Sequence, residues 1–214
     1  MHKDKFFNFI KALNENDVVY YFMRGFAKLP EKPDTDIDLV CHLSSWDTFN
    51  QIASRHLKGE KFRDHGFAEY CDMLYYPYFT TGKPDRSIPN GRFRVDSYNC
   101  LHMKSPLNDF KTRWTLPLSF NNYVFDKRVK VEHEVPYYIP SVECEILLLV
   151  LRDVLDLKGR WKSKHINRIE SLKPVCDKEE LLHCTGMVLP NAQGVVDCIY
   201  NNEYDKIFNL TMGK

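Results

Sequence analysis

Residues 20–40 read Tyr-Tyr-Phe-Met-Arg-Gly-Phe-Ala-Lys-Leu-Pro-Glu-Lys-Pro-Asp-Thr-Asp-Ile-Asp-Leu-Val, and their pattern decides how the chain is organised. Val18 to Met23 is an aromatic and β-branched run that suits a buried strand, and Arg24-Gly25 ends it at a sharp turn. A loop holding Pro30 and Pro33 follows. From Thr35 to Cys41 the residues alternate, with Ile37, Leu39 and Cys41 facing one way and Asp36, Asp38 and Val40 the other. Asp36 and Asp38 thus share a face, about 6.5–7 Å apart along the backbone. Two carboxylates so placed repel each other, and the pattern requires a positive group between them. Carboxylate oxygens are hard ligands that suit Mg²⁺ or Mn²⁺, ions that keep positions open for phosphate oxygens.

Further along, Arg92 to Leu101 supplies a third acid inside an apolar alternation. Phe93 and Val95 fall on one face, and Arg94, Asp96 and Tyr98 on the other. Taken alone, Asp96 reads as a surface ion-pair partner of Arg92 or Arg94. With Asp36 and Asp38 in view, it reads as the third carboxylate of a metal site.

A strand, a turn with glycine, a short spacer and Asp-x-Asp on the next strand together resemble the nucleotidyltransferase superfamily, the polymerase-β-like fold. Gly25 matches the glycine of that pattern and Asp36-Ile37-Asp38 the acidic pair, while Leu39-Val40 continues the strand. The resemblance implies a mixed β-sheet flanked by helices, a third carboxylate on a neighbouring strand, and Mg²⁺ or Mn²⁺ held by Asp36, Asp38 and Asp96 as the catalytic residues. Arg24 and Gly25 would shape the turn that meets the donor phosphates, and Arg24 reads equally as the structural salt-bridge partner of a nearby acid. Phe26 departs from the pattern, because the family has a small residue there whose backbone or hydroxyl meets the phosphates.

The remaining composition bounds the answer. A chain of 214 residues with 43% hydrophobic and 14% aromatic content holds enough apolar material for a substantial core, which excludes wholesale disorder. Thirty basic residues against twenty-nine acidic ones leave a formal charge of +1, so no global electrostatic signature of nucleic-acid binding exists. Seven cysteines without Cys-x-x-Cys spacing argue against a structural zinc site and, being odd in number, against a complete set of internal disulfides. A reducing, cytoplasmic setting is the expectation. Neither a signal peptide nor a membrane span is expected from the hydropathy pattern.

Phe6, Phe9, Ile10 and Leu13 mark an amphipathic helix over about residues 3–14. Ser44-Ser45-Trp46-Asp47 starts a second helix that runs to about Leu57. Phe67 to Phe79 reads as a strand bent at Pro77, antiparallel to the strand of Asp96, with Glu69 and Asp72 as spare acids on its solvent face. Val124 to Val131 reads as a hairpin turning at Asp126–Arg128, after which Pro136 to Pro140 leads out of the sheet. Ser141 caps a leucine-rich helix with Glu143 and Glu145 in its first turn, and three short helices are expected near residues 178–183, 192–200 and 204–210. The predicted organisation is α+β, with a nucleotidyltransferase-like core over residues 1–139 and a C-terminal helical lobe over 140–214.

Between the leucine-rich helix and the short helices lie Lys158, Arg160, Lys162, Lys164 and Arg168, with Trp161 and His165 among them. A charge run of this kind is on its own a solvated surface. Beside the resemblance, Lys162, Lys164, His165 and Arg168 become candidate substrate contacts, whereas His183 reads as a surface or satisfied histidine. The activity implied is transfer of a nucleoside monophosphate from a nucleoside triphosphate to an acceptor hydroxyl. Two other readings stand beside it: a phosphotransferase resembling the LicD and fukutin-related enzymes, which takes a nucleotide-linked donor to glycans, and a binding module that kept the fold without the chemistry, for which Phe26 is the sequence hint. The acceptor is not identified by any residue, and nucleic acid is the less favoured one.

Overall fold

The acidic strand sits inside a mixed five-stranded sheet. In the computed structural model, which describes residues 2–24, 26, 29, 36–56, 60–61, 77–80, 94–104 and 113–212, and the backbone alone at 2–5, 36, 60–61, 77–80, 94, 96 and 113–114, the elements follow one another along the chain. They are helix α1 (His2–Glu15), strands β1 (Tyr20–Arg24) and β2 (Asp36–Cys41), helix α2 (Trp46–His56), and strands β3 (Glu60–Lys61), β4 (Pro77–Thr80), β5 (Arg94–Tyr98), β6 (His102–Lys104) and β7 (Arg113–Thr115). Helix α3 (Leu118–Asp126), strands β8 (Val129–Val131) and β9 (Tyr137–Ile139), and helices α4 (Val142–Leu151), α5 (Ser163–Leu172), α6 (Lys178–Gly186), α7 (Ala192–Tyr200) and α8 (Tyr204–Met212) complete the order. The architecture is α+β.

Two compact units form, Met1–Leu101 with Arg128–Ile139, and His102–Lys127 with Pro140–Lys214. In the first, the strand order is β1-β2-β5-β4-β3, and β2 and β5 run parallel whereas the other neighbours are antiparallel. The antiparallel relation expected between the strand at Pro77 and that of Asp96 is the β4–β5 pairing. Ile37, Leu39 and Cys41 of β2 and Val95 of β5 are buried in one cluster with Phe6, Phe9, Ile10 and Leu13 of α1 and Phe49 and Ile52 of α2. Helices α1 and α2 therefore cover the face of the sheet that the alternation marked as apolar. Tyr137 of β9 contacts Phe22 of β1, ring to ring, and donates its hydroxyl hydrogen bond to the Leu29 carbonyl at 3.2 Å.

The hairpin lies elsewhere than the sequence suggests. Val124 to Asp126 belong to α3, whose buried residues Phe120, Asn121, Val124 and Phe125 recur at helical spacing, and β8 pairs instead with β9. The apolar pair Val124-Phe125 fits either period, and the helical partner Phe120 decides it. Residues 102–127, expected with the first unit, pack with the second through α3 and the β6–β7 ribbon. Tyr123 donates to Glu180 Oε1 at 2.5 Å, and the Lys104 backbone N–H donates to Asp156 Oδ1 at 3.0 Å.

In the second unit, Ser141 Oγ accepts the Cys144 N–H as a cap, and Cys144 through Leu151 are all buried, which makes α4 its central helix. The helix then widens into a π-helical turn, Arg152–Asp156. Asp153 in that turn is fully buried, and the following loop is tied to it. Its backbone carbonyl accepts the Gly159 N–H at 2.9 Å, Oδ2 accepts the Lys162 N–H at 3.2 Å, and Oδ1 meets His165 Nδ1 at 2.7 Å.

Gly159 has φ +77°, and a Cβ placed on it would stand 2.8 Å from Phe208 Cγ. Both backbone strain and a side-chain clash follow for any other residue. Gly159→Ala is expected to lower stability by about 1–3 kcal/mol. By contrast, Gly186→Ala, where the nearest atom to the new Cβ is 3.8 Å away, should stay within about 0.5 kcal/mol of the parent. Urea denaturation of the two variants checks the difference.

Candidate functional site

The site begins with the parallel pairing of β2 and β5. Its register sets Asp36 against Arg94, Ile37 against Val95, and Asp38 against Asp96. On the other side of β2, Arg24 of β1 stands against Asp38. Partners across a ladder share a face of the sheet, so this register lines up an acid, an acid and an arginine across three adjacent strands. Asp36 stands two residues before Asp38 on the same strand. At Asp36, Arg94 and Asp96 the description extends to the backbone position only.

A β-bulge brings Arg24 to its place. From Tyr20 against Cys41 to Phe22 against Leu39 the β1–β2 register is regular, and continuing it would put Met23 against Asp38. The register shifts between Phe22 and Arg24, so that β1 advances by one residue and Arg24 stands there instead. A bulge of this kind re-aims a side chain at the end of a ladder.

Asp38 is buried, with 6% of its surface exposed, yet it carries ionic partners. Arg24 Nη2 donates to Asp38 Oδ1 at 2.7 Å, and Tyr98 Oη donates to the same oxygen at 3.1 Å. A buried carboxylate without such partners would be strongly unfavourable, so the arginine and the tyrosine account for how Asp38 is tolerated beside an apolar core. Tyr98 was legible as a neighbour of Asp96 on the polar face but not as a ligand of Asp38. The signal for it was the two-residue spacing Asp96–Tyr98.

Gly25 lies outside the described residues, as do Glu69 and Asp72. Phe26, the departure from the turn pattern, is buried in the core cluster. Among the described residues no group of three or more His, Cys, Asp or Glu side chains is placed to hold a metal ion. On the core face of β2, burial pushes the Cys41 thiol far above its usual pKa range. It is a packing residue there.

The basic segment belongs to the second unit. Lys162 and Lys164 are exposed. His165 is buried, and its Nδ1 is held by Asp153. Arg168 makes a two-point contact with Glu145, Nε donating to Oε1 at 2.7 Å and Nη2 to Oε2 at 2.9 Å, and these hydrogen bonds push its pKa up. Of the residues expected to contact substrate, His165 and Arg168 thus have structural partners within their own unit, while the two lysines project into solvent. Asp153 was readable in the sequence as an acid inside the apolar run Ile146–Leu155. His183, read as a surface residue, is exposed and its ring lies 5.5 Å from that of Tyr123.

No family model and no curated protein matches the chain. Solved structures similar to it include the following two. That of the antibiotic-resistance factor ANT(2'')-Ia has 11% sequence identity and a TM-score of 0.49, over 99% of this chain and 97% of that one. An antigenic nucleotidyltransferase-like protein from Paracoccidioides brasiliensis has 13% identity and a TM-score of 0.48, over 100% of this chain and 97% of that one.

Proposed function

We propose that the chain is a metal-dependent nucleotidyltransferase that moves a nucleoside monophosphate from a nucleoside triphosphate to an acceptor hydroxyl. The observation that carries this reading is the β2–β5 register, which sets Asp96 directly beside Asp38, two residues along from Asp36. Three acids at neighbouring sheet positions would form a donor set of hard oxygens, and such a set suits Mg²⁺ or Mn²⁺ better than a softer ion. Asp36, Asp38 and Asp96 are the residues that would hold the ion. Bound there, it would neutralise charge on the donor phosphates and make the acceptor hydroxyl easier to deprotonate.

The chain's own groups have separable parts in this reading. Arg24 would bind donor phosphate through its guanidinium, a shape matched to phosphate oxygens. Tyr98, donating to Asp38 Oδ1, would fix the orientation of that carboxylate. Asp96 would receive the acceptor proton as general base. Lys162 and Lys164 would supply positive charge for the donor or acceptor, whereas His165 and Arg168 would act through the packing of their own unit. Transfer of a phospho-alcohol from a nucleotide-linked donor to a glycan needs the same acids, and the products tell the two reactions apart.

Incubation with each nucleoside triphosphate and Mg²⁺ or Mn²⁺, with pyrophosphate and modified acceptor as readouts, should show metal-dependent pyrophosphate release. Asp38→Asn is expected to lower turnover by about 10³-fold or more while the protein still melts cooperatively. The amide keeps an oxygen for Arg24 and Tyr98 but loses the charge. Asp38→Ala is the less informative variant, because it strands both partners of a buried carboxylate and costs about 3–5 kcal/mol of stability. Pyrophosphate release at the parent rate by Asp38→Asn would contradict the assignment.

The lysines give a second test. Replacing Lys162 and Lys164 together by alanine should raise the KM for the donor by about tenfold with little change in kcat, the pattern of lost ground-state binding. A binding curve whose salt dependence is steep in the parent and shallower in the double variant would instead identify a nucleic-acid acceptor. If neither KM nor salt dependence changes, the lysines are a solvated surface.

A further inference from the structure

We infer that Arg24 is a two-position residue: it rests on Asp38 and transfers to the donor's phosphate when the site fills, releasing Asp38 Oδ1 for the metal. The inference rests on the proposed function and deepens it. Its basis is the way the guanidinium is used. Nη2 donates to Asp38 Oδ1 at 2.7 Å, but Nε, also buried, finds no acceptor among the described residues. Nε–H and one Nη2–H lie along the same edge of the planar guanidinium, the edge that takes a two-oxygen partner. Among the described residues that edge meets one oxygen only. The same oxygen also takes the Tyr98 hydroxyl, so Oδ1 is crowded while the buried donor beside it has no acceptor among those residues.

A structural ion pair would be expected to use the whole edge, as Arg168 does with both oxygens of Glu145 in the second unit. An unsatisfied buried donor in a native structure requires a reason. A phosphate group supplies two oxygens at the spacing the edge requires, and it carries the negative charge that Arg24 would otherwise lose on leaving Asp38. Two further observations favour movement. The Arg24 side chain is 26% exposed against 8% for Asp38, so the arginine has the solvent access needed to swing while the carboxylate stays fixed. Arg24 also stands at the last position of β1, just past the bulge, where the ladder ends.

Calorimetric titration of Mn²⁺ alone, and of inorganic triphosphate in the presence of saturating Mn²⁺, into the parent protein, Arg24→Met and Arg24→Lys tests the inference. In Arg24→Met the affinity for Mn²⁺ alone should tighten by about five- to tenfold, since a competing cation has gone, while triphosphate binding weakens by about tenfold or more. The two affinities move in opposite directions. Arg24→Lys keeps the charge without the two-donor edge, so Mn²⁺ binding should stay within about threefold of the parent and triphosphate binding should remain weakened. Loss of both affinities in Arg24→Met, unchanged triphosphate binding, or full recovery of triphosphate binding by lysine would each overturn the inference. If the methionine variant does not fold, the lysine variant decides alone, through its triphosphate affinity. A parent protein that binds no Mn²⁺ overturns the proposed function and this inference together, whereas one that binds Mn²⁺ with no dependence on residue 24 overturns only the inference.

Discussion

The parallel pairing of β2 with β5 is the constraint on which the first unit depends. These strands are far apart in the sequence, and only their mutual register decides which residues meet. That register is fixed by burial. Ile37 and Leu39 on β2 and Val95 on β5 are fully buried against α1 and α2, and a slip by one residue would turn the face of Asp36 and Asp38 towards the core. The hydrophobic face therefore sets the chemistry of the opposite face: once Ile37 lies against Val95, Asp38 must lie against Asp96.

Placing an acid this close to a core carries an electrostatic cost, and at Asp38 the neighbouring arginine offsets it. Arg24 stands against Asp38 and Arg94 against Asp36. At Asp38 the compensation is a direct ion pair supported by the Tyr98 hydroxyl. A buried pair of this sort adds little net stability, because desolvation consumes most of the Coulombic gain. The second unit solves a similar problem at Asp153, where two backbone N–H groups reach the residue, one at its carbonyl and one at its carboxylate, and a histidine nitrogen meets the same carboxylate, so that an acid in an apolar helix becomes the anchor of a basic loop.

Much of this was legible in the sequence because period-2 alternation is a direct consequence of strand geometry. Asp36-Ile37-Asp38 and Arg94-Val95-Asp96 announce both their strands and their polar faces, and Ser141 announces the cap of α4. The bulge at Met23–Arg24 was not legible, since a one-residue insertion leaves no compositional trace in an aromatic run. Without it Arg24 reads equally as a turn residue facing the phosphates or as the salt-bridge partner of a nearby acid, and in the fold it is the partner of Asp38. Helix α3 was hidden for a different reason. Val124-Phe125 is too short an apolar run to distinguish the two periods, and the Asp126–Arg128 sequence mimics a hairpin turn. The partners of His165 and Arg168 are non-local contacts, and a basic run of residues carries no mark of which members are already engaged.

The central claim is that the carboxylates at positions 36, 38 and 96 together bind a divalent ion. Anomalous diffraction from crystals soaked in Mn²⁺ tests it most directly. The account predicts one strong manganese peak bonded to the carboxylates of Asp36, Asp38 and Asp96, with Arg24 displaced from Asp38 Oδ1 when a triphosphate is also present. A protein in which Arg24 stays on Asp38 and manganese is found elsewhere, or nowhere, would contradict it.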